Sequence, residues 1–261
     1  MQPFFLDGLD GPLFANFFAA EAGAAAYVFA PPFAEELNRS RHMMARLARA
    51  AAEAGHSVLL LDPFGTGDSG GRFEDGSWPR WQDDLAVGAT WLKRQGYAKV
   101  GLVGLRTGAL LSASFKDIHH LILWSPVISG EQFLTQFLRL KVAEAMARDA
   151  ASKETTKDLK ARLDAGETLE IGGYALTPAM AAELGAAKLT DAAPRCPVDW
   201  IEVGSAPSPA AERAAAAWEK AGVVVTLSAV EGPMFWSLLE PEVADALIDA
   251  TVAAMSREAA R

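Results

Sequence analysis

A glycine-flanked turn between a predicted strand and a predicted helix is the segment whose residue types most directly suggest chemistry. It reads Gly104-Leu105-Arg106-Thr107-Gly108, after the apolar run at 99–103 and before Ala109-Leu110-Leu111. A strand, such a turn and a helix form a nucleophile elbow, which holds its middle residue at the top of a sheet. The helix N-terminus supplies N–H groups for an oxyanion or another anion. The middle residue here is Arg106, which stays protonated at any ordinary pH and cannot be a nucleophile.

The chain has four histidines, and the last of them is His120. An elbow of this type needs the order nucleophile, acid, histidine along the chain, so the usual triad cannot be assembled here. His119 and His120 stand at the start of one predicted strand and His56 precedes another, whereas sites on parallel sheets lie at carboxyl ends. We therefore expect these three histidines to be structural.

Three other residues are candidates for substitute catalytic groups: Thr107, Ser125 and His42. Thr107 lies one residue past the elbow tip, although its side chain should point into the helix turn. Ser125 closes a predicted strand, and His42 lies in the first turns of a predicted helix. A general base must reach the nucleophile's proton directly or through one water. With such substitutes the protein would be an ester or thioester hydrolase or an acyltransferase.

Arg106 itself is the candidate ligand anchor. An unpaired ion inside a protein is very costly, so a buried arginine needs a counter-charge or an anionic ligand. Glu35, Glu36 and Glu231 could supply the counter-charge, although the first two could equally complement a helix dipole at about 0.3–1 kcal/mol. A structural Arg–Glu pair and an anion site both remain open. The expected ligand-binding residues are Arg106, Thr107, Pro32, Phe33, Glu35, Glu36, Glu231, Met234 and Trp236.

Short apolar runs alternate with segments of helical periodicity from about residue 25, which is typical of a βαβ sheet. Strands are predicted at 25–30, 57–62, 99–103, 120–124, 198–203 and 223–227, and helices at 36–54, 83–94, from 109, 209–220 and 241–255. Asp-Gly turns predict an antiparallel pair at 3–6 and 13–18. The sequence thus predicts an α/β fold with a mostly parallel sheet and helices on both faces.

The strand–helix alternation is interrupted between Ser129 and Arg195. An apolar helical face around Phe133 and Phe137 precedes a Gly-Gly hairpin candidate at 169–176. We predict a core of 1–128 and 196–261, with 129–195 as a cap over the crevice at the carboxyl ends of the strands. The alternative is an extra lobe with no role in binding.

Composition restricts the class of partner. The 261 residues carry 24 Lys+Arg against 33 Asp+Glu, for a net charge of −9, and the acids are spread along the chain. Nucleic acid is therefore not an expected partner, because phosphate binding needs a concentrated basic face. Cys196 is the single cysteine, no run approaches a membrane span, and no secretory signal is recognisable. We expect a cytoplasmic protein without a metal or cofactor.

The chain resembles the α/β-hydrolase family over nearly its whole length. The segment Asp62-Pro63-Phe64-Gly65-Thr66-Gly67-Asp68-Ser69-Gly70 is similar to the loop that precedes that family's elbow. The resemblance places the family's nucleophile at Arg106, its histidine at Met234 and half of its oxyanion hole at 30–38. Its acid would fall at 204–209, where the sequence has no carboxylate.

A finer resemblance is to the exosortase A system-associated hydrolase 2 family. It is carried by segments 32–41, 104–111, 129–141 and 232–236. Proteins of that family are encoded near exopolysaccharide and exosortase genes in Gram-negative bacteria. The resemblance implies a hydrolase name inherited from the fold. Three hypotheses follow: a protein without the triad that binds an anionic small molecule or partner at Arg106, an active hydrolase with non-standard residues, and a non-catalytic subunit that binds a protein of the polysaccharide machinery.

Overall fold

One eight-stranded sheet forms the centre of the molecule. The computed structural model describes residues 1–21, 25–148 and 153–259. The strands are β1 (Gln2–Asp7), β2 (Pro12–Phe18), β3 (Ala25–Ala30), β4 (His56–Leu61), β5 (Lys99–Leu105), β6 (Leu121–Trp124), a separate hairpin of β7 (Leu169–Ile171) and β8 (Tyr174–Leu176), β9 (Val198–Val203) and β10 (Val225–Val230). The sheet order is β1-β2-β4-β3-β5-β6-β9-β10. Pairs β1–β2 and β2–β4 are antiparallel and the rest are parallel, which confirms the predicted sheet.

Helices cover both faces of this sheet. They are α1 (Glu35–Glu53), α2 (Trp78–Arg94), α3 (Thr107–Ser112), α4 (Gly130–Arg148), α5 (Thr156–Asp164), α6 (Pro178–Ala186), α7 (Pro209–Lys220) and α8 (Asp245–Ala259). Alternation along β6 sends Leu121 and Leu123 to the layer of α2, α3 and α7, and Ile122 and Trp124 to the layer of α1 and α8. In the described ranges, none of the helices has the length and apolarity to cross a membrane.

Several predicted boundaries are wrong, and three of the starts show why. Helix α2 begins at Trp78 and not at 83, because the Ser77 hydroxyl accepts a hydrogen bond from the Arg80 N–H at 3.3 Å and caps the helix. Strand β10 begins at Val225, two residues after the predicted start at 223. The Val223 N–H still donates to the Trp218 carbonyl in the turn after α7. Helix α8 begins at Asp245, and residues 241–244 have no regular secondary structure.

The segment 129–195 is attached to the core by a paired stem. Gly130 N–H donates to the Ala187 carbonyl at 2.9 Å, and Leu189 N–H donates to the Ile128 carbonyl at 3.0 Å. The predicted Gly-Gly hairpin is present as β7 and β8, with Gly172 and Gly173 at φ 57° and 85°. Such paired positive angles are those of a type I′ turn. The division into a core and a cap remains a prediction.

Candidate functional site

The elbow has the backbone geometry that its glycines predict. Arg106 lies between β5 and α3 at φ 55° and ψ −114°, a region that a non-glycine residue occupies at a cost of about 1–3 kcal/mol. A Cβ at Gly104 would lie 2.5 Å from the Ala109 Cα, and one at Gly108 would lie 2.1 Å from the Ala30 carbonyl oxygen. Only glycine permits these approaches, so α3 packs tightly on the sheet and lifts residue 106 over its carboxyl edge.

The Arg106 side chain contacts three separate segments at that edge. Its Nε lies 3.5 Å from Glu36 Oε1, its Nη1 donates to the Ser125 carbonyl at 3.2 Å, and its guanidinium carbon lies 5.3 Å from the centre of the Trp236 ring. The Trp236 contact is a cation–π interaction. Of the three glutamates proposed as counter-charges, Glu36 is the one that pairs with Arg106. Glu35 pairs with Arg39 at 3.5 Å and Glu231 is exposed.

The pair between Arg106 and Glu36 is incomplete. At this distance Arg106 Nε makes no hydrogen bond to Glu36, and the buried Glu36 Oε2 also has no hydrogen-bond partner in the described part of the chain. Burial raises the pKa of Glu36 above its ordinary value, and the charges of Arg106 and Arg39 reduce this shift without cancelling it. Glu36 is therefore a weakly held counter-ion that binds a proton more readily than an ordinary glutamate.

Arg106 faces a cavity of about 540 Å³, which we call the Arg106 cavity. A second arginine, Arg213 at the start of α7, lines the same cavity. Glu202 also lines it, but the Ser208 N–H donates to its Oε2 at 2.6 Å and the Ser208 hydroxyl lies 3.4 Å from its Oε1. The carboxylate is thus used at the beginning of α7. Other polar and apolar side chains around the cavity include Ser125, Gln132, Gln136, Met234 and Trp236.

A second cavity of about 280 Å³ lies beside the first, under α4, and we call it the α4 cavity. Phe133, Gln136 and Trp236 line both cavities, so the two spaces adjoin. The α4 cavity is mostly apolar, with Glu35, Glu36 and Arg39 on the side of α1. Its apolar lining is formed by Phe33, Phe133, Phe137, Leu140 and Trp236.

Comparison with known proteins identifies this architecture. Est1E from Butyrivibrio proteoclasticus, with ferulic acid bound, superposes with a TM-score of 0.73 and 16% identity over 99% of this chain and 100% of that chain. The α/β-hydrolase GrgF from Penicillium sp. sh18 gives 0.66 and 16% over 100% and 99%. Proline iminopeptidase from Mycobacterium smegmatis gives 0.65 and 14% over 99% of both chains. The fold is that of the α/β-hydrolases. No family model and no curated protein matches the chain.

Within this α/β-hydrolase fold, Thr107 joins two loops. Its hydroxyl oxygen accepts the Phe33 N–H at 2.8 Å, and the residue is 2% exposed. The expectation that this side chain points into its own helix turn is wrong, because the loop after β3 approaches closely enough to use it as an acceptor. The Phe33 amide is one of the N–H groups of the segment that the resemblance assigns to an oxyanion hole, and here Thr107 occupies it.

The other two catalytic candidates are separated from each other. Ser125 has φ 40° and lines the Arg106 cavity, and its hydroxyl accepts the Val203 N–H at 3.0 Å. His42 packs on Phe235, and its Nε2 bonds the Glu242 carbonyl at 2.8 Å. His42 lines neither the Arg106 cavity nor the α4 cavity. Ser125 and His42 are thus not brought together.

The remaining histidines lie at the amino edge of the sheet. His120 Nε2 is 2.8 Å from Asp199 Oδ2, and its Nδ1 is 3.1 Å from the Tyr27 hydroxyl. His119 lies 3.4 Å from Glu258, and His56 lies 3.2 Å from the Ser256 hydroxyl. Burial lowers the pKa of both His56 and His119. The contacts of His119 and His56 join α8 to the sheet at the end opposite Arg106.

The structure places six of the nine expected ligand-binding residues at the two cavities. Arg106 and Met234 line the Arg106 cavity, Phe33, Glu35 and Glu36 line the α4 cavity, and Trp236 lines both. Neither cavity is lined by Thr107, Pro32 or Glu231. Sequence reasoning missed Arg213, Gln132 and Gln136. The glutamines are four residues apart on α4, a spacing that places them on one face. In the ranges 1–21, 25–148 and 153–259, no group of three or more His, Cys, Asp or Glu is arranged to hold a metal ion.

Proposed function

We propose that this protein binds an anionic small molecule at Arg106 and does not hydrolyse esters through a Ser-His-Asp triad. The observation that carries the proposal is the guanidinium at the elbow tip, which faces a cavity of about 540 Å³. Arg213 adds a second positive charge at the same cavity. In the part of the chain that the structure describes, the buried Nε of Arg106 has no hydrogen-bond partner. An anion in this cavity would satisfy it.

A purely structural role for Arg106 is the competing explanation. The molecule contains a structural pair for comparison: Arg41 donates to both oxygens of Asp62, at 2.9 and 3.1 Å. Two parallel hydrogen bonds are the strong arrangement for arginine and a carboxylate. The pair between Arg106 and Glu36, at 3.5 Å and without hydrogen-bond geometry, does not have that arrangement. The difference supports a binding role.

The biological setting of the proposal rests on the resemblance to the exosortase A system-associated hydrolase 2 family. We propose a cytoplasmic protein whose ligand or protein partner belongs to an exopolysaccharide system. The separation of His42 from Ser125 and the use of Thr107 as an acceptor give no support to a hydrolase with non-standard residues. The same experiments test that alternative.

The test is calorimetric titration with benzoate and with inorganic phosphate. Losing a hydrogen bond to a charged group costs about 1.5–3 kcal/mol, so Arg106→Gln should weaken binding by about 10- to 150-fold. Arg94→Gln, a surface arginine at the end of α2, is the matched control and should bind like the unmodified protein. If Arg106→Gln bound both benzoate and phosphate as tightly as the unmodified protein does, the proposal would be overturned. Turnover of 4-nitrophenyl acetate above the buffer rate, abolished by Thr107→Val or His42→Ala, would favour the hydrolase alternative.

A further inference from the structure

The two adjoining cavities differ in chemistry. The Arg106 cavity contains two arginines, whereas the α4 cavity is lined by three phenylalanines, Leu140 and Trp236. The Trp236 ring lies at the boundary, since it contacts the Arg106 guanidinium and lines both spaces. A charged group and an apolar group of one molecule could thus each find a suitable environment on either side of this ring.

We propose that the ligand is an amphipathic monocarboxylate, whose carboxylate binds Arg106 and whose apolar chain crosses Trp236 into the α4 cavity. This inference rests on the proposed function, which it deepens by naming the ligand class. The chain can be alkyl or aryl, because both are apolar and the lining is aliphatic and aromatic.

The volume of the α4 cavity limits the chain. An apolar protein cavity of about 150 Å³ holds benzene, and the α4 cavity has about 280 Å³. It therefore has room for a medium-length alkyl chain or for a substituted single ring. Leu140 lines it and is 53% exposed. An apolar chain in this cavity would cover part of that surface.

Charge determines which end of the ligand enters the α4 cavity. Glu35 and Glu36 both line it, and Arg39 is already paired with Glu35 and donates to the Ser237 carbonyl at 2.8 Å. A second carboxylate at the far end of the chain would meet these two acids. A monocarboxylate should therefore bind better than a dicarboxylate of the same length.

The experiment measures the affinity of alkanoates from acetate to decanoate by calorimetry, below their micelle concentrations. From butanoate to octanoate we expect about fourfold tighter binding for each methylene, equivalent to about 0.8 kcal/mol, followed by a plateau. Octanedioate should bind at least tenfold more weakly than octanoate. A comparison of the affinities for ferulate and octanoate shows whether the protein prefers an aryl or an alkyl chain. Leu140→Ser should weaken octanoate and leave acetate unchanged, and Leu9→Ser, an exposed leucine elsewhere, is the control.

The outcomes separate the two proposals. Binding that depends on Arg106 and not on chain length overturns the amphipathic ligand and leaves the anion site. Binding that rises with chain length but is unchanged in Arg106→Gln overturns both the anchor and this inference, which needs it. Octanedioate that binds as well as octanoate overturns the assignment of the chain to the α4 cavity.

Discussion

Replacing Glu36 by glutamine removes one negative charge beside Arg106 and nearly preserves the shape of the side chain. The two side chains are 20% and 21% exposed, and the closest charged atoms are 3.5 Å apart. Glu36 competes with any anion for the same guanidinium, and it repels an anion bound on the other side. We therefore expect Glu36→Gln to bind anions more tightly than the unmodified protein does.

The size of the effect follows from Coulomb's law. An anion on the opposite side of the guanidinium lies roughly 7 Å from Glu36, and at an effective dielectric constant of about 20 the repulsion is about 2.4 kcal/mol. Solvent reaches about a fifth of each side chain, so about 1–2 kcal/mol remains after screening. This corresponds to about 5- to 30-fold tighter binding of benzoate.

The assay is titration with benzoate between pH 8.5 and 5.5, where the ligand stays ionised. Because burial raises the pKa of Glu36, this side chain loses its negative charge at a higher pH than an ordinary glutamate does. The affinity for benzoate should therefore increase as the pH falls. Folding stability should change in the same direction, because a carboxyl group with a raised pKa stabilises the fold below its unfolded pKa and loses that contribution as the pH rises. In Glu36→Gln, the contribution of Glu36 to the pH dependence of benzoate affinity and of folding stability should be absent.

The control is Glu35→Gln, because Glu35 occupies the preceding position of α1 and pairs with Arg39 instead. It lies in the same helix turn, so any effect of the helix dipole is matched. The other charged groups that face the two cavities are Arg39, Arg213 and Glu202, and all are unchanged in both variants. Equal or weaker benzoate binding in Glu36→Gln would refute the reasoning.

Two further substitutions test the elbow, which carries Arg106 in place of a nucleophile. Arg106→Ser puts a hydroxyl at the strained tip of the elbow. The variant should still not hydrolyse 4-nitrophenyl acetate, because no histidine in the described residues lines the Arg106 cavity. Rapid release of nitrophenol would contradict this expectation. Thr107→Val leaves the buried Phe33 N–H without its acceptor, and urea denaturation should give a loss of about 1–3 kcal/mol in the free energy of unfolding. A Thr107→Val protein of unchanged stability would contradict the structural role of that hydroxyl.

The sheet and its helices could be predicted from the sequence because the determining signals are local. Buried parallel strands appear as continuous apolar runs, and the elbow appears as two glycines at fixed spacing. The wrong boundaries depend on short-range capping and turn contacts that the apolar periodicity does not show. The start of α2 is set by the Ser77 cap, and at the start of β10 the Val223 N–H is still used by the Trp218 carbonyl.

The candidate site could be predicted only in part. The motif identified Arg106, but the choice among Glu35, Glu36 and Glu231 depends on helix phase and loop position. Successive helical residues point about 100° apart, so Glu36 faces the guanidinium while Glu35 lies near Arg39 and Tyr174. No pattern in a single sequence predicts that the Arg213 side chain of α7 lines the Arg106 cavity. Such residues are brought together by tertiary packing alone.

The backbone at residue 106 gives the strongest physical reason to look for a ligand. An arginine that only neutralised Glu36 could stand in an ordinary helical conformation, as Arg41 does within α1 when it binds Asp62. Arg106 instead has φ 55°, and Gly104 and Gly108 permit the close packing that this turn requires. Strain of about 1–3 kcal/mol persists only when the surrounding structure maintains it. In this elbow it presents a positive charge over the carboxyl edge of the sheet, at the position where the α/β-hydrolase resemblance places a nucleophile.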